Sequence, residues 1–144
     1  MKLHFHTLDV FTTEPLSGNA LAVVLDADGL NDRQMQNIAR EFNLSETIFV
    51  QAPEDPLHSA KVRIFMPGGE LPFAGHPTIG CAVLLASLKY KMSCSFETDI
   101  ILEEKAGVVP VRVSRIGEVA RAVFIAPRLP KKVGRPPGAA EIAK

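Results

Sequence analysis

Polar and apolar positions alternate at the start of the chain, and this period of two predicts a strand over residues 3–11. Residues 12–19 are expected to form a loop. The continuous apolar run at residues 20–25 predicts a short strand that is covered on both faces, because it has no polar side. The turn sequence Asp-Ala-Asp-Gly at 26–29 ends it.

Residues 31–42 have the pattern of an amphipathic helix. Asn31 is suited to the N-cap, and Gln34 stands at the third helical position, where it can complete a capping box. Apolar side chains recur at spacings of three and four residues, at Met35, Ile38, Ala39 and Phe42. Asn43 is expected to end the helix.

A second helix is expected to begin at Pro77, because proline at the first helical position leaves no hydrogen bond unmade. His76 would then be the N-cap. Residues 79–88 are almost all apolar, so this helix should be surrounded on every side and lie at the centre. With the strands already predicted, five more bring the count to seven: residues 48–50, 60–66, 94–102, 108–113 and 119–126.

Composition and charge narrow the functional classes. A chain of 144 residues that is 47% hydrophobic and 22% charged is typical of one globular lobe. Sixteen basic residues balance sixteen acidic ones, which does not favour nucleic acid or membrane and leaves a small molecule as the expected partner. The first residues lack the pattern of a secretory signal, and no apolar run approaches the roughly 20 residues that span a bilayer, so a cytoplasmic protein is expected.

The composition changes near residue 127, beyond which prolines alternate with basic residues. We expect residues 1–127 to form the lobe and residues 128–144 to be a Pro-rich basic linker and the start of an absent second lobe. The basic tail has no interleaved aromatic residues, so it gives little support to nucleic-acid binding. Cys81 and Cys94 lack the spacing of a zinc site and are expected to be buried thiols.

The strongest local signal is the segment at residues 69–80, Gly-Glu-Leu-Pro-Phe-Ala-Gly-His-Pro-Thr-Ile-Gly, which leads into the apolar helix. Free N–H groups and the positive end of a helix favour a carboxylate or phosphate. Gly75 allows a ligand to approach the backbone closely. On the pattern alone, ordinary punctuation before a helix explains the segment equally well.

Glu46 and Asn19 are the other candidates. Glu46 lies between a predicted helix and a predicted strand, where scaffolds often present reactive groups, and is a candidate acid/base. Asn19 precedes a buried strand and could bind a substrate through its amide. The alternatives are a solvated glutamate and an asparagine that satisfies its own turn. His4 and His6 share a strand face without an evident third ligand, so no metal site is expected.

Four segments resemble, in order and spacing, those of the phenazine-biosynthesis PhzF-like family over about residues 1–130. They are Asp9-Val10-Phe11-Thr12, Gly18-Asn19-Ala20-Leu21-Ala22-Val23-Val24, Ala39-Arg40-Glu41-Phe42-Asn43-Leu44-Ser45-Glu46-Thr47 and Glu70-Leu71-Pro72-Phe73-Ala74-Gly75-His76-Pro77-Thr78. The resemblance implies an α+β, diaminopimelate-epimerase-like fold. In it, each of two lobes wraps a curved, mostly antiparallel sheet around a central apolar helix, and the active site lies between the lobes.

The resemblance also implies an activity. Glu46 matches the family's catalytic glutamate, which moves a proton on a dihydro-hydroxyanthranilate-like substrate without a metal or organic cofactor. The small carboxylate substrate would then be held by residues in two motifs, Asn19, Gly75, His76, Pro77 and Thr78.

Three departures qualify this expectation. Ala20 stands where family members usually have proline, which should loosen the turn. Related two-base epimerases carry a thiol where this chain has Ala74, which disfavours thiol-based racemisation. The family's second lobe and its catalytic aspartate have no counterpart here. We therefore expect the chain alone to be weakly active or silent and to form a homodimer; a non-catalytic half-domain that binds small carboxylates or serves in assembly is the alternative.

Overall fold

The structure is a computed structural model that describes residues 2–90, 95–128 and Gly134. These residues contain two α-helices, α1 (Asp32–Phe42) and α2 (Gly75–Lys89), and a 3₁₀ turn at Ala27–Gly29. They also contain eight strands, which are β1 (His4–Val10), β2 (Asn19–Leu25), β3 (Glu46–Gln51), β4 (Ala60–Met66), β5 (Gly69–Leu71), β6 (Phe96–Glu104), β7 (Gly107–Ile116) and β8 (Val119–Phe124).

All eight strands belong to one sheet in the order β1-β2-β3-β4-β6-β7-β8, with the short β5 paired to β4. The pairs are antiparallel except β2 with β3 and β4 with β6. The expected α+β fold with a mostly antiparallel sheet is confirmed. Because β2 and β3 run parallel, the segments that enter them lie at the same edge of the sheet.

Helix α2 lies inside the curve of the sheet, as its unbroken apolar sequence predicts. It contacts six strands, β1, β2, β3, β6, β7 and β8. Eight of its residues are buried: His76, Pro77, Thr78, Gly80, Cys81, Ala82, Leu84 and Ala86. The inward side chains of the sheet, such as Val23, Ile48 and Val111, complete this core.

Helix α1 covers the opposite face of β2, β3 and β4. Successive residues in these strands point to opposite faces, so one member of each pair packs near α2 and the other near α1: Val23 and Val24, Ile48 and Phe49, Ile64 and Phe65. The expected double coverage of β2 is confirmed. The predicted capping box of Asn31 and Gln34 is also present, and Asn43 ends the helix with φ 52°.

The elements differ from the expectation at several boundaries; β3, for example, begins at Glu46 rather than at residue 48, so Glu46 lies in the strand and not before it. Helix α2 begins at Gly75 with Ala74 as its N-cap, so the prediction of His76 as N-cap was wrong. Pro77 is accommodated at the third helical position because its missing N–H is still among those without an intrahelical partner. The three-residue strand β5 was missed because it begins with Gly69, is followed by Pro72 and is too short to show a period.

The sequence predictions for Cys94 and for the linker lie outside the described residues. Cys81 is buried, as expected. Within residues 2–90 and 95–128, no helix has the length and apolar content needed to cross a membrane.

A close approach between α2 and the sheet depends on Gly80. A Cβ atom at this position would lie 2.6 Å from Leu21 Cδ2 and 2.8 Å from Val10 Cγ2, both in the buried core. We expect Gly80→Ala to lower the free energy of unfolding by about 1–2 kcal/mol, since overpacking outweighs the gain in helix propensity. Urea denaturation measures this.

Gly69→Ala is the matched control for that substitution, because a Cβ there meets no atom within 4 Å. It should unfold at the urea concentration of the wild-type protein. A Gly80→Ala protein that is as stable as this control would show that α2 does not sit against β1 and β2 as described.

Candidate active site

Glu46 owes its position to the way α1 ends. The left-handed backbone of Asn43 turns the chain back, and three residues later Glu46 begins β3. Glu46 pairs in parallel register with Leu21 of β2. The carboxylate is therefore fixed at the edge of the sheet where β2 also begins, and only 19% of its side chain is exposed.

His76 in the first turn of α2 lies against Glu46. The distance between His76 Nδ1 and Glu46 Oε2 is 3.4 Å, and only 8% of the His76 side chain is exposed. At this distance the two atoms are in close contact rather than in a well-aligned hydrogen bond. The predicted meeting of the two segments is thus present in the fold, although 30 residues separate them in the sequence.

Both side chains have a buried polar atom without a hydrogen bond to any described residue. These atoms are Glu46 Oε2 and His76 Nε2. Buried polar groups are nearly always hydrogen-bonded, so these two atoms in adjacent side chains point to a partner such as a water molecule or a polar ligand. The pair combines an acid/base group with a second group that can donate or accept a hydrogen bond.

The N-terminus of α2 supplies a positive end beside this pair. Ala74 makes no side-chain cap, and no acidic residue lies in the first turn. The N–H groups of Gly75 and His76 have no acceptor within the helix, as at any helix N-terminus, and Pro77 has none to offer. An anion next to Glu46 would therefore meet two backbone donors and the helix dipole.

Thr78 is directed inward. Its N–H donates to the Ala74 carbonyl at 3.2 Å, and its side chain is fully buried. Its hydroxyl lies 2.7 Å from the same carbonyl and 2.6 Å from Glu104 Oε1. Of the four residues expected to hold the substrate in this motif, Gly75 and His76 present their polar groups beside Glu46, whereas the polar groups of Thr78 are used within the protein.

Asn19 is exposed and is the first residue of β2, opposite Val10 of β1. Gly18 before it fits where a side chain cannot, since a Cβ would lie 2.5 Å from the Val10 carbonyl oxygen. The Gly-Asn pair thus has a packing reason as well as the suggested binding role. Asn19 stands at the sheet edge that also carries Glu46, and its contact with a substrate stays a prediction.

Glu104 is a buried acid that lies just beyond the predicted strand at residues 94–102. It is the last residue of β6, and only 8% of it is exposed. Burial raises the pKa of Glu104 from 4.5 to about 7, against the smaller opposing influence of the Thr78 hydroxyl. The alternation of Ile100, Leu102 and Glu104 was the available signal, since it places all three on the inward face.

Cys81 offers no nucleophile to the site. It is buried in α2, and burial raises the pKa of its thiol. Among the residues that the structure describes, no group of three histidine, cysteine, aspartate or glutamate side chains is arranged to hold a metal ion.

A groove of about 750 Å³ lies away from Glu46 and His76, between the loop before β4 and the end of β6. Glu103 holds this loop by accepting the N–H groups of Glu54 and Asp55, both at 2.8 Å, and these donors lower the pKa of Glu103 to about 2. The charged side chains Lys61 and Arg63 are paired with acids. Most charged groups of the groove are therefore paired within the protein, although Glu104 also lines it and Glu104 Oε2 is buried without a hydrogen bond to any described residue.

Comparison with known proteins adds independent support for the fold. A family model described as phenazine biosynthesis-like protein matches residues 8–135. The chain belongs to this family. It is 52% identical over 123 residues to an uncharacterized isomerase of Mesorhizobium japonicum, covering 85% of this chain and 40% of that protein.

Two further members of the phenazine biosynthesis-like family are informative. A trans-2,3-dihydro-3-hydroxyanthranilate isomerase of Pseudomonas aeruginosa is 44% identical over 111 residues, covering 75% of this chain and 36% of that protein. The structure of a predicted epimerase from Pseudomonas aeruginosa superimposes with a TM-score of 0.74 at 39% identity, covering 83% of this chain and 41% of the other. The chain therefore spans about two fifths of the length of these relatives.

Proposed function

We propose that this chain supplies one half of the active site of an isomerase that moves a proton between two carbons of a small carboxylic acid. The observation that supports this most is the contact between Glu46 and His76, both largely buried, at the open N-terminus of α2. Relatives that share the fold at 44–52% identity are named as isomerases. Glu46 would be the acid/base, and the reaction would need no metal or organic cofactor.

The substrate carboxylate would accept hydrogen bonds from the N–H groups of Gly75 and His76. It would thereby place an activated C–H bond within reach of Glu46. The Glu46 carboxylate would take the proton, the electron pair would pass into the conjugated system, and the protonated Glu46 would return the proton to another carbon. His76 Nε2 would hold a second polar group of the substrate. A small cyclic or amino acid resembling dihydro-hydroxyanthranilate fits these roles.

The rest of the cleft would come from a second lobe, including the aspartate that the resemblance implies. Several large apolar side chains of the described chain face water near β8, among them Val123 at 70% and Ile125 at 83% exposure. A second lobe or a second copy of the chain would cover such a surface. The expected homodimer and the cytoplasmic location stay predictions.

Binding of a carboxylate can be tested without turnover. We expect 2-aminobenzoate, added to the ¹⁵N-labelled 144-residue chain, to shift the amide resonances of Ala74, Gly75 and His76 most. The uncharged 2-aminobenzamide is the matched control. Its affinity should be lower by about ten-fold or more, because it cannot accept charge-assisted hydrogen bonds.

Two results would contradict this placement of the anion site. One is that the largest shifts occur at Lys61 and Arg63 or in the basic tail around Lys131 and Lys132. The other is equal binding of the acid and the amide. The alternative function is a half-domain that binds carboxylates without catalysis. It would be supported if the native-length protein bound 2-aminobenzoate as expected but showed no isomerase activity that Glu46→Gln reduces.

A further inference from the structure

The buried acid Glu104 is joined to the first turn of α2 through one hydroxyl group. Thr78 Oγ1 lies 2.6 Å from Glu104 Oε1 and 2.7 Å from the Ala74 carbonyl oxygen. Both are distances of good O–H···O hydrogen bonds. Ala74 is the N-cap of α2, and the two residues that follow it are Gly75 and His76.

The number of hydrogens available to these hydrogen bonds indicates whether Glu104 is protonated. A threonine hydroxyl has one hydrogen, so it can donate to only one of its two neighbours. The Ala74 carbonyl can only accept. Both short bonds are made only if Thr78 donates to Ala74 and Glu104 donates to Thr78, which requires Glu104 to carry a proton. With Glu104 ionised, the hydroxyl can donate to only one of the two oxygens: either Glu104 Oε1 loses this donor, or the Ala74 carbonyl keeps only the Thr78 N–H.

We infer that Glu104 is a positioning residue whose protonated form holds the first turn of α2 in its binding geometry, through the series of bonds from Glu104 to Thr78 to Ala74. Ionisation of Glu104 then removes one of the two bonds of the Thr78 hydroxyl, either the bond to Glu104 or the bond to Ala74, whose carbonyl keeps the Thr78 N–H, and the turn that carries His76 shifts or loosens. The consequence for substrate binding rests on the proposed function, whereas the location of the proton does not.

The surroundings of Glu104 favour the neutral form. Burial raises its pKa to about 7, and neither influence on that value is a cation. Thr78 and Cys81, both on α2, face the Glu104 side chain. The raised pKa of the Cys81 thiol keeps this thiol uncharged. The positive end of α2 favours the carboxylate, whereas burial and the hydrogen-bond count both favour the acid.

The test follows Glu104 and the turn separately by NMR between pH 5.5 and 8.5, in the 144-residue chain. The ¹³C resonance of the Glu104 carboxyl reports its own titration, and the amides of Ala74 to Thr78 report the turn. Each variant is compared with wild type at every pH. We expect Glu104 to titrate near pH 7 and the turn amides to follow it.

Glu104→Gln is the informative variant, because its amide group can donate to Thr78 as the acid does. Its turn amides should lack the pH-dependent change that follows Glu104 in wild type. Thr78→Ser should preserve the coupling, and Thr78→Val should abolish it. Glu103→Gln, one residue away on the opposite face of β6, is the matched control and should leave the titration of Glu104 unchanged.

In wild type, the affinity for 2-aminobenzoate should fall about five-fold or more as Glu104 ionises, and this loss should be absent in Glu104→Gln. The inference is overturned if Glu104 titrates near its ordinary pKa, or if the turn amides of Glu104→Gln titrate as in wild type. If the turn follows Glu104 as expected while 2-aminobenzoate binds elsewhere, the positioning role is upheld and the proposed anion site fails.

Discussion

In the proposed isomerase, Glu46→Gln is expected to reduce turnover of a dihydro-hydroxyanthranilate-like substrate by roughly 10²–10⁴-fold, the contribution usually made by one positioned acid/base. The amide has the shape of the carboxylate but cannot accept a proton from carbon. Because Gly75 and His76 are proposed to bind the substrate, the loss should appear in kcat with KM little changed. The measurement is steady-state kinetics of the native-length protein, whose length is first fixed by intact mass.

Glu41→Gln is a suitable control, since Glu41 lies exposed on α1, five residues before Glu46. It makes the same chemical change and should leave kcat and KM as in wild type. A Glu46→Gln protein that retains full activity would remove Glu46 from the mechanism. A loss that appears only in KM would assign Glu46 to binding rather than to proton transfer.

The second large effect is a fall in stability as the pH rises. Glu104 has its pKa raised from 4.5 to about 7 in the folded protein, so between these values the folded state binds more protons than the unfolded state. Its stabilising contribution is complete below pH 4.5 and is lost as the pH rises through about 7. The full change corresponds to up to about 3 kcal/mol.

Urea denaturation between pH 4.5 and 8 measures this change. Glu104→Gln should be nearly flat over the same range, because the amide is neutral at every pH. Glu103 acts in the opposite direction at lower pH, since its lowered pKa stabilises the fold above about 4.5 and this contribution is lost as the pH falls toward 2. Wild type and Glu104→Gln that lose stability in parallel between pH 4.5 and 8 would show that Glu104 is not buried as described.

Local sequence signals were sufficient for much of the fold. Asn31, Gln34 and Asn43 define α1 through hydrogen bonds and backbone conformations within a few residues, so a capping pattern predicts both ends. The unbroken apolar run of α2 predicts burial on all sides for the same local reason. The start of α2 was predicted two residues late because proline is tolerated at more than one position of the first turn.

The candidate site depends on tertiary contacts that no local pattern encodes. Nothing within a few residues of Glu46 reveals that His76 will lie 3.4 Å away, since this contact requires β3 and α2 to meet at one edge of the sheet. The four-motif resemblance predicted that meeting. It did not indicate Glu104, which lies outside the motifs, or that Thr78 is turned toward Glu104 rather than toward the cleft.

Incorporation of solvent deuterium into the product measures whether Glu46 carries the proton between carbons. When the reaction is run in D₂O, each product molecule should contain at most one deuterium, bound to the carbon that receives the proton. The label should appear in wild type and be lost together with turnover in Glu46→Gln. Product that forms and is labelled at the wild-type rate in Glu46→Gln would contradict the claim.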